Sequence, residues 1–165
     1  MNPQNSFLSP QGSVSLKEQG DVLRIRLRDY LSKFPRKKLF LQEKHAPDDA
    51  FFSSDRTHSI ATTDDYSVHP DLKKYADFFY DKTRYNAFYE SPLEGFLRQQ
   101  KVKDIGLVGL ETHTSILFTA EELRNRGYQV TVVEPLCMSR DESLHGFAIT
   151  VMCHSLGVRI SNGQN

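Results

Sequence analysis

The chain has 165 residues, a length that fits one domain with one good core. Lysine plus arginine number 21 and aspartate plus glutamate 21, so the formal net charge is zero and nothing electrostatic points to nucleic acid or an anionic membrane as a partner. No window nears the roughly 18 apolar residues of a membrane span. The start, Met1-Asn2-Pro3-Gln4-Asn5, lacks the basic and apolar parts of a signal peptide.

In chain order, Asp21 to Phe34 is predicted to be a helix, because Leu23, Leu27, Tyr30, Leu31 and Phe34 recur at helical spacing between arginines, and Pro35 ends it. Lys38 to Gln42 is a short strand running into Glu43-Lys44-His45. From Ala46 to Tyr80 the chain is polar without a long period and reads as a functional loop or small lid. Ser91-Pro92-Leu93-Glu94 is a capping box with proline at the first helical position. Ile105 to Gly109 is an apolar strand, followed by a helix that stops at Gly127 and a strand from Tyr128 to Val133. A second capping box, Ser139-Arg140-Asp141-Glu142, opens a last helix ending near Gly157, and Val158-Arg159-Ile160 is a final strand. The alternation predicts a parallel sheet covered on both faces. The cysteines, Cys137 and Cys153, lie in apolar or helical contexts that favour buried reduced thiols over a disulfide, and a cytoplasmic location is expected.

The strand–turn–helix–strand unit around Gly109-Leu110-Glu111-Thr112-His113-Thr114-Ser115 puts Ser115 where the helix opens at the carboxyl end of the sheet, the usual place for a ligand in open α/β proteins. Gly109 to Ala120 resembles the nucleophile elbow of the isochorismatase/nicotinamidase superfamily of cysteine hydrolases, in which the Ser115 position carries the nucleophilic cysteine. Asn2-Pro3-Gln4-Asn5-Ser6-Phe7 is similar to that family's opening aspartate segment, Lys82-Thr83-Arg84-Tyr85-Asn86-Ala87-Phe88 to its lysine segment, and Arg126-Gly127-Tyr128 to the exit from its elbow helix. The resemblance implies a three-layer α/β/α sandwich with a mostly parallel sheet, formed by residues 1–165 as a single domain, with a cis peptide between Leu110 and Glu111. It also implies substrate contacts from Phe7, Tyr85, Leu110 and Glu111, and a pocket walled by Phe7, Lys82, Tyr85 and Ser115.

The family's catalytic aspartate, lysine and cysteine correspond to Asn2, Lys82 and Ser115, so the lysine alone is kept. A cysteine at a helix start beside a lysine readily becomes a thiolate, because the dipole and the ammonium both stabilise the anion. A serine hydroxyl needs a base within reach, and an amide at position 2 takes no proton. Two readings follow. In one, hydrolysis is impaired and the protein binds a small molecule or serves in an assembly. In the other, a Ser115–Lys82 pair, or His113, activates the hydroxyl in a metal-assisted hydrolase of a small amide.

Glu43, His45 and His58 correspond to the metal-binding positions of the nicotinamidase branch. Residues two apart at a strand end point the same way, and one carboxylate with two imidazoles suits one divalent ion such as zinc. In this chain Glu43 stands for the usual aspartate, and Asp49 stands near the place of a further histidine. His69 and His154 read as surface or cap residues. The resemblance places an apolar strand before the opening segment, in the middle of the sheet, so a chain starting at Met1 lacks that first strand. A homo-oligomer, with another subunit or segment supplying it, is then expected.

Overall fold

A computed structural model of the protein describes residues 1–52 and 57–163. The chain forms two compact units, Asn2–Arg84 and Met1 with Tyr85–Asn165.

In the Asn2–Arg84 unit, a single short turn of helix, α1 (Asn5–Leu8), precedes α2 (Glu18–Lys33). The predicted stripe forms, with Leu23, Leu27 and Leu31 buried at four-residue spacing, while Tyr30 stacks on Phe34 at 5.4 Å at the helix end. β1 (Leu39–Glu43) lies one residue later than predicted and pairs in parallel with β2 (Phe78–Lys82), in a register from Leu39–Phe78 to Glu43–Lys82. β2 overlaps the end of the stretch read as a loop. Its aromatic start is half-exposed and only Lys82 is buried, so the segment lacks the apolar run by which a buried strand is recognised. A 3₁₀ turn (Asp64–Tyr66) and α3 (Pro70–Lys73) also interrupt that loop, whose residues 53–56 lie outside the described ones. His69 caps α3 as expected, its Nδ1 accepting the Asp71 N–H.

In the other unit, α4 (Leu93–Gln99) starts after Pro92, and the Ser91 hydroxyl accepts the Leu93 N–H at 3.1 Å. Three parallel strands follow in the order β3 (Asp104–Leu110), β4 (Gln129–Met138) and β5 (Arg159–Ser161). The two strand pairings are parallel, as the βαβ pattern requires. β4 runs five residues beyond its predicted end. Its register against β3 shifts between Leu107 and Gly109, where Glu134 and Pro135 bulge outward before pairing resumes at Cys137 and Met138.

Between β3 and β4 come a π-helical turn (Thr112–Ile116) and α5 (Leu117–Asn125). α5 ends in a Schellman motif: Gly127, at φ +84°, donates to the Arg124 carbonyl, and Tyr128 donates to that of Leu123. α6 (Glu142–His154) begins differently from the expected capping box. Asp141 is the cap and accepts the N–H groups of Ser143 and Leu144, because the Ser139 hydroxyl is bonded to His113. Cys137 is buried and free, as expected; Cys153 is free but exposed, because it lies on the outer face of α6.

Candidate active site and metal centre

In the Asn2–Arg84 unit, the ends of β1 and β2 bring Glu43 and Lys82 opposite each other in register. Lys82 Nζ donates to Glu43 Oε1 at 2.8 Å, and Asn2 Nδ2 donates to the same oxygen at 2.8 Å. On the other carboxylate oxygen, His58 Nε2 sits 2.7 Å from Oε2. All four side chains are buried, Lys82 and Asn2 at 1% exposure and Glu43 at 3%. Asn2 adopts φ +50°, a left-handed conformation that asparagine tolerates better than most residues.

Gln4 fixes the carboxylate's backbone. Its Oε1 accepts the Glu43 N–H at 2.7 Å, and its Nε2 donates to the Glu43 carbonyl at 2.8 Å. Burial pushes the Glu43 carboxyl upward, but the Lys82 charge and the His45 and His58 imidazoles outweigh it and hold the group well below its ordinary value. Burial also pulls the Lys82 ammonium below its ordinary value, an effect that Glu43 opposes. The carboxylate is therefore ionised, and an ion pair with Lys82 is the state its donors favour.

The ligand atoms of Glu43, His45 and His58 lie within 4.8 Å of one another, and all three residues are buried. His45 Nδ1 is 3.2 Å from Asp49 Oδ2, a contact that orients the ring and leaves Nε2 directed inward. His45 Nε2 is buried with no hydrogen-bond partner among the described residues and lies 3.9 Å from Glu43 Oε2. A buried imidazole nitrogen left in that condition, beside a carboxylate oxygen and a second imidazole, is a fitting donor set for a zinc-like ion. Phe7 presents an edge to the His58 ring at 5.5 Å, and Phe52 does the same to His45 at 4.6 Å, so the cluster has an apolar wall.

Ser115 belongs to the other unit. The cis peptide expected between Leu110 and Glu111 is present, and the π-helical turn after it carries Ser115, whose side chain is fully buried. Ser115 thus stands at the turn that follows the carboxyl end of β3, where the strand–turn–helix pattern placed it. Leu110 is core, and its N–H donates to the Met1 carbonyl at 3.2 Å. Gly109 next to it sits at φ +112°, and a side chain there would collide with that same carbonyl. Glu111 is bound to Arg140, with Nε donating to Oε1 at 2.8 Å and Nη2 to Oε2 at 3.3 Å. Tyr85 stacks on Phe118 at 6.1 Å.

The sequence did not report which side chains pair at this turn. His113 Nδ1 is 2.9 Å from Ser139 Oγ, and His145 Nδ1 is 2.9 Å from the Thr112 hydroxyl. These pairs link residues 26 and 33 positions apart, a separation that no local pattern reports. A groove of about 260 Å³ in this unit is lined by Asp104, Gln129 and Arg159, the first residues of the three strands, so it lies at the opposite strand ends from Ser115.

Comparison with known proteins agrees with this geometry. Two curated relatives in Bacillus subtilis (strain 168), the uncharacterized isochorismatase family proteins PncA and YaaI, are 29% identical over 84 residues and 31% identical over 89. These matches take in 51% and 54% of this chain and 46% and 49% of the relatives, so the chain spans about half the length of the curated relatives it matches. A solved nicotinamidase/pyrazinamidase PncA from Bacillus subtilis superposes with a TM-score of 0.86 at 24% identity, covering 97% of this chain and 95% of that one. An N-carbamoylsarcosine amidase from Thermoplasma acidophilum gives 0.84 at 19% identity, covering 99% and 94%. At these identities the likeness is one of fold, an isochorismatase-like hydrolase fold of α/β class with parallel sheets. The isochorismatase domain model matches residues 3–164, nearly the whole chain, and with the cis-peptide elbow after β3 and the lysine at the end of β2 this protein belongs to the isochorismatase family.

Proposed function

We propose that this protein binds a small molecule on an isochorismatase-family scaffold whose hydrolytic chemistry is impaired. The observation that carries this reading is the Asn2 side chain. Its amide donates to Glu43 Oε1 at 2.8 Å, so the group at position 2 is held as a hydrogen-bond donor and has no capacity to take a proton. Ser115 supports it, since a buried hydroxyl ionises far less readily than a thiol and depends on a base to become a nucleophile. The ligand class is a small amide or its acid, by analogy with the amides named for the structural relatives. The test is to incubate the purified protein with nicotinamide and with isochorismate, following product release and the melting temperature together. Stabilisation by ligand without turnover is expected. Robust turnover that disappears in Ser115→Ala would replace this reading with a Ser115–Lys82 hydrolase.

That second reading has one observation of its own, the convergence of Glu43, His45 and His58 with the orphaned His45 Nε2. A divalent ion held there would polarise a substrate nitrogen or oxygen. The residues of the chain would then divide the remaining work: Asp49 orients His45, Lys82 holds Glu43, and Phe7 and Phe52 keep water from the imidazoles. Metal analysis of the purified protein separates the two, because a hydrolase of this kind retains a stoichiometric ion and a silent binding protein has no need of one.

A further inference from the structure

Ser59 follows the candidate metal ligand His58 and is fully buried in a left-handed conformation, φ +52°, which residues with a Cβ seldom adopt. It is held from both sides of its N–Cα bond, the bond that φ describes. On the Cα side, the Ser59 hydroxyl lies 2.8 Å from that of Ser6, and the Ser59 carbonyl accepts the His45 N–H at 3.2 Å. On the other side, the Ser59 N–H donates to Asp65 Oδ2 at 2.8 Å. That N–H lies in the rigid plane of the peptide joining His58 to Ser59, so the carboxylate fixes the plane's rotation about the N–Cα bond. Asp65 is itself anchored, because Ser13 donates to Oδ2 through its hydroxyl at 2.7 Å and to Oδ1 through its N–H at 3.0 Å.

The same peptide plane carries His58, whose Nε2 sits 2.7 Å from Glu43 Oε2. The backbone of His45 is tied to the chain on the far side of Ser59, through the bridge between His45 and Ile60. The angle at Ser59 therefore decides whether the two imidazoles meet. We propose that Asp65 is a positioning residue of the candidate metal centre: by holding Ser59 left-handed, it keeps the His58 imidazole converged with Glu43 and His45. Without the carboxylate, Ser59 relaxes towards negative φ, and that rotation swings His58 away from the other two donors while His45 stays in place. The proposal rests on the metal-dependent reading above and adds to it a residue outside the donor set.

The experiment measures the affinity of the full chain for zinc ion, by competition with a chromophoric chelator, in the parent, Asp65→Ala, Ser59→Gly and the variant carrying both. Asp65→Ala should weaken zinc binding by about 10–100-fold, the range seen when a partner that orients a metal ligand is removed. Glycine takes the left-handed conformation without a steric penalty, so Asp65→Ala made on top of Ser59→Gly should weaken binding by a much smaller factor. Equal factors in the two backgrounds would make Asp65 a general support of the fold and overturn the proposal. An Asp65→Ala protein that binds zinc as the parent does would overturn it as well, and would leave the metal-dependent reading standing. A parent that takes up no zinc removes that reading, and this proposal with it. Should Asp65→Ala alone give no soluble protein, a soluble, zinc-binding double variant is the rescue, and an insoluble one overturns the role assigned through Ser59. The readout is binding, so none of these outcomes depends on turnover.

Discussion

Replacing Lys82 by methionine keeps most of the side chain's volume and removes its charge. At the observed Nζ–Oε1 distance of 2.8 Å, two unit charges at an effective dielectric constant of about 20 attract by about 6 kcal/mol. Part of that is returned, because the variant no longer buries an ammonium, which costs several kcal/mol. Glu43 remains buried and charged, with Asn2 and His58 as its side-chain donors. The net loss expected for breaking such a pair is about 3–5 kcal/mol. Urea unfolding followed by circular dichroism measures it directly. With a slope of about 2 kcal/mol per molar urea, the midpoint should fall by about 2 M with the slope unchanged. A loss under about 1 kcal/mol would show that the attraction barely exceeds the cost of burying the ammonium, and the view of Glu43 and Lys82 as a stabilising ion pair would be refuted.

Two further outcomes are expected. Burial, and then the hydrogen bond to Asp81 at 2.7 Å, push the Tyr66 hydroxyl from 10.0 up to about 12. Its contribution to stability is therefore complete below pH 10 and falls away as the pH rises towards 12, so phenolate absorbance of the folded protein should show a latest-titrating tyrosine that is missing in Tyr66→Phe. The thiols should also separate: burial pushes Cys137 up to about 12 while Cys153 is exposed, so a thiol reagent at pH 8 should modify one cysteine in the native protein and both after denaturation. Two modified thiols before unfolding would contradict the packing of β4.

The parts of this molecule that were legible in its sequence are those set by local pattern. The apolar runs of β3, β4 and β5, the Leu23–Leu27–Leu31 stripe and the Gly127 stop each depend on residues within a few positions of one another, where period and turn chemistry act. β2 escaped notice because its strand character comes from pairing with β1, 39 positions away, and not from its own half-exposed aromatics. Ser139 misled for the opposite reason. It has the local signature of a helix cap, but His113 takes its hydroxyl from the far side of the elbow. In the candidate site, spacing and resemblance named Glu43, His45, His58 and Lys82, which the structure brings together. The sharing of one Glu43 oxygen by Asn2 and Lys82, and the grip of Gln4 on the Glu43 peptide, exist only once the chain has closed loops of about forty residues.

That grip has a meaning for the sheet as well as for the site. β1 meets β2 on one side, and on the other the Leu41 carbonyl and the Glu43 peptide groups, which are buried, need partners of their own. The Asn2 N–H takes the Leu41 carbonyl, and the Gln4 carboxamide takes both the N–H and the C=O of Glu43. One side chain thus imitates a neighbouring strand for the length of a single residue. The Glu43 end of β1 has its backbone groups satisfied by a side chain, and exchanging Gln4 for a residue without an amide would leave a buried N–H and C=O without that partner.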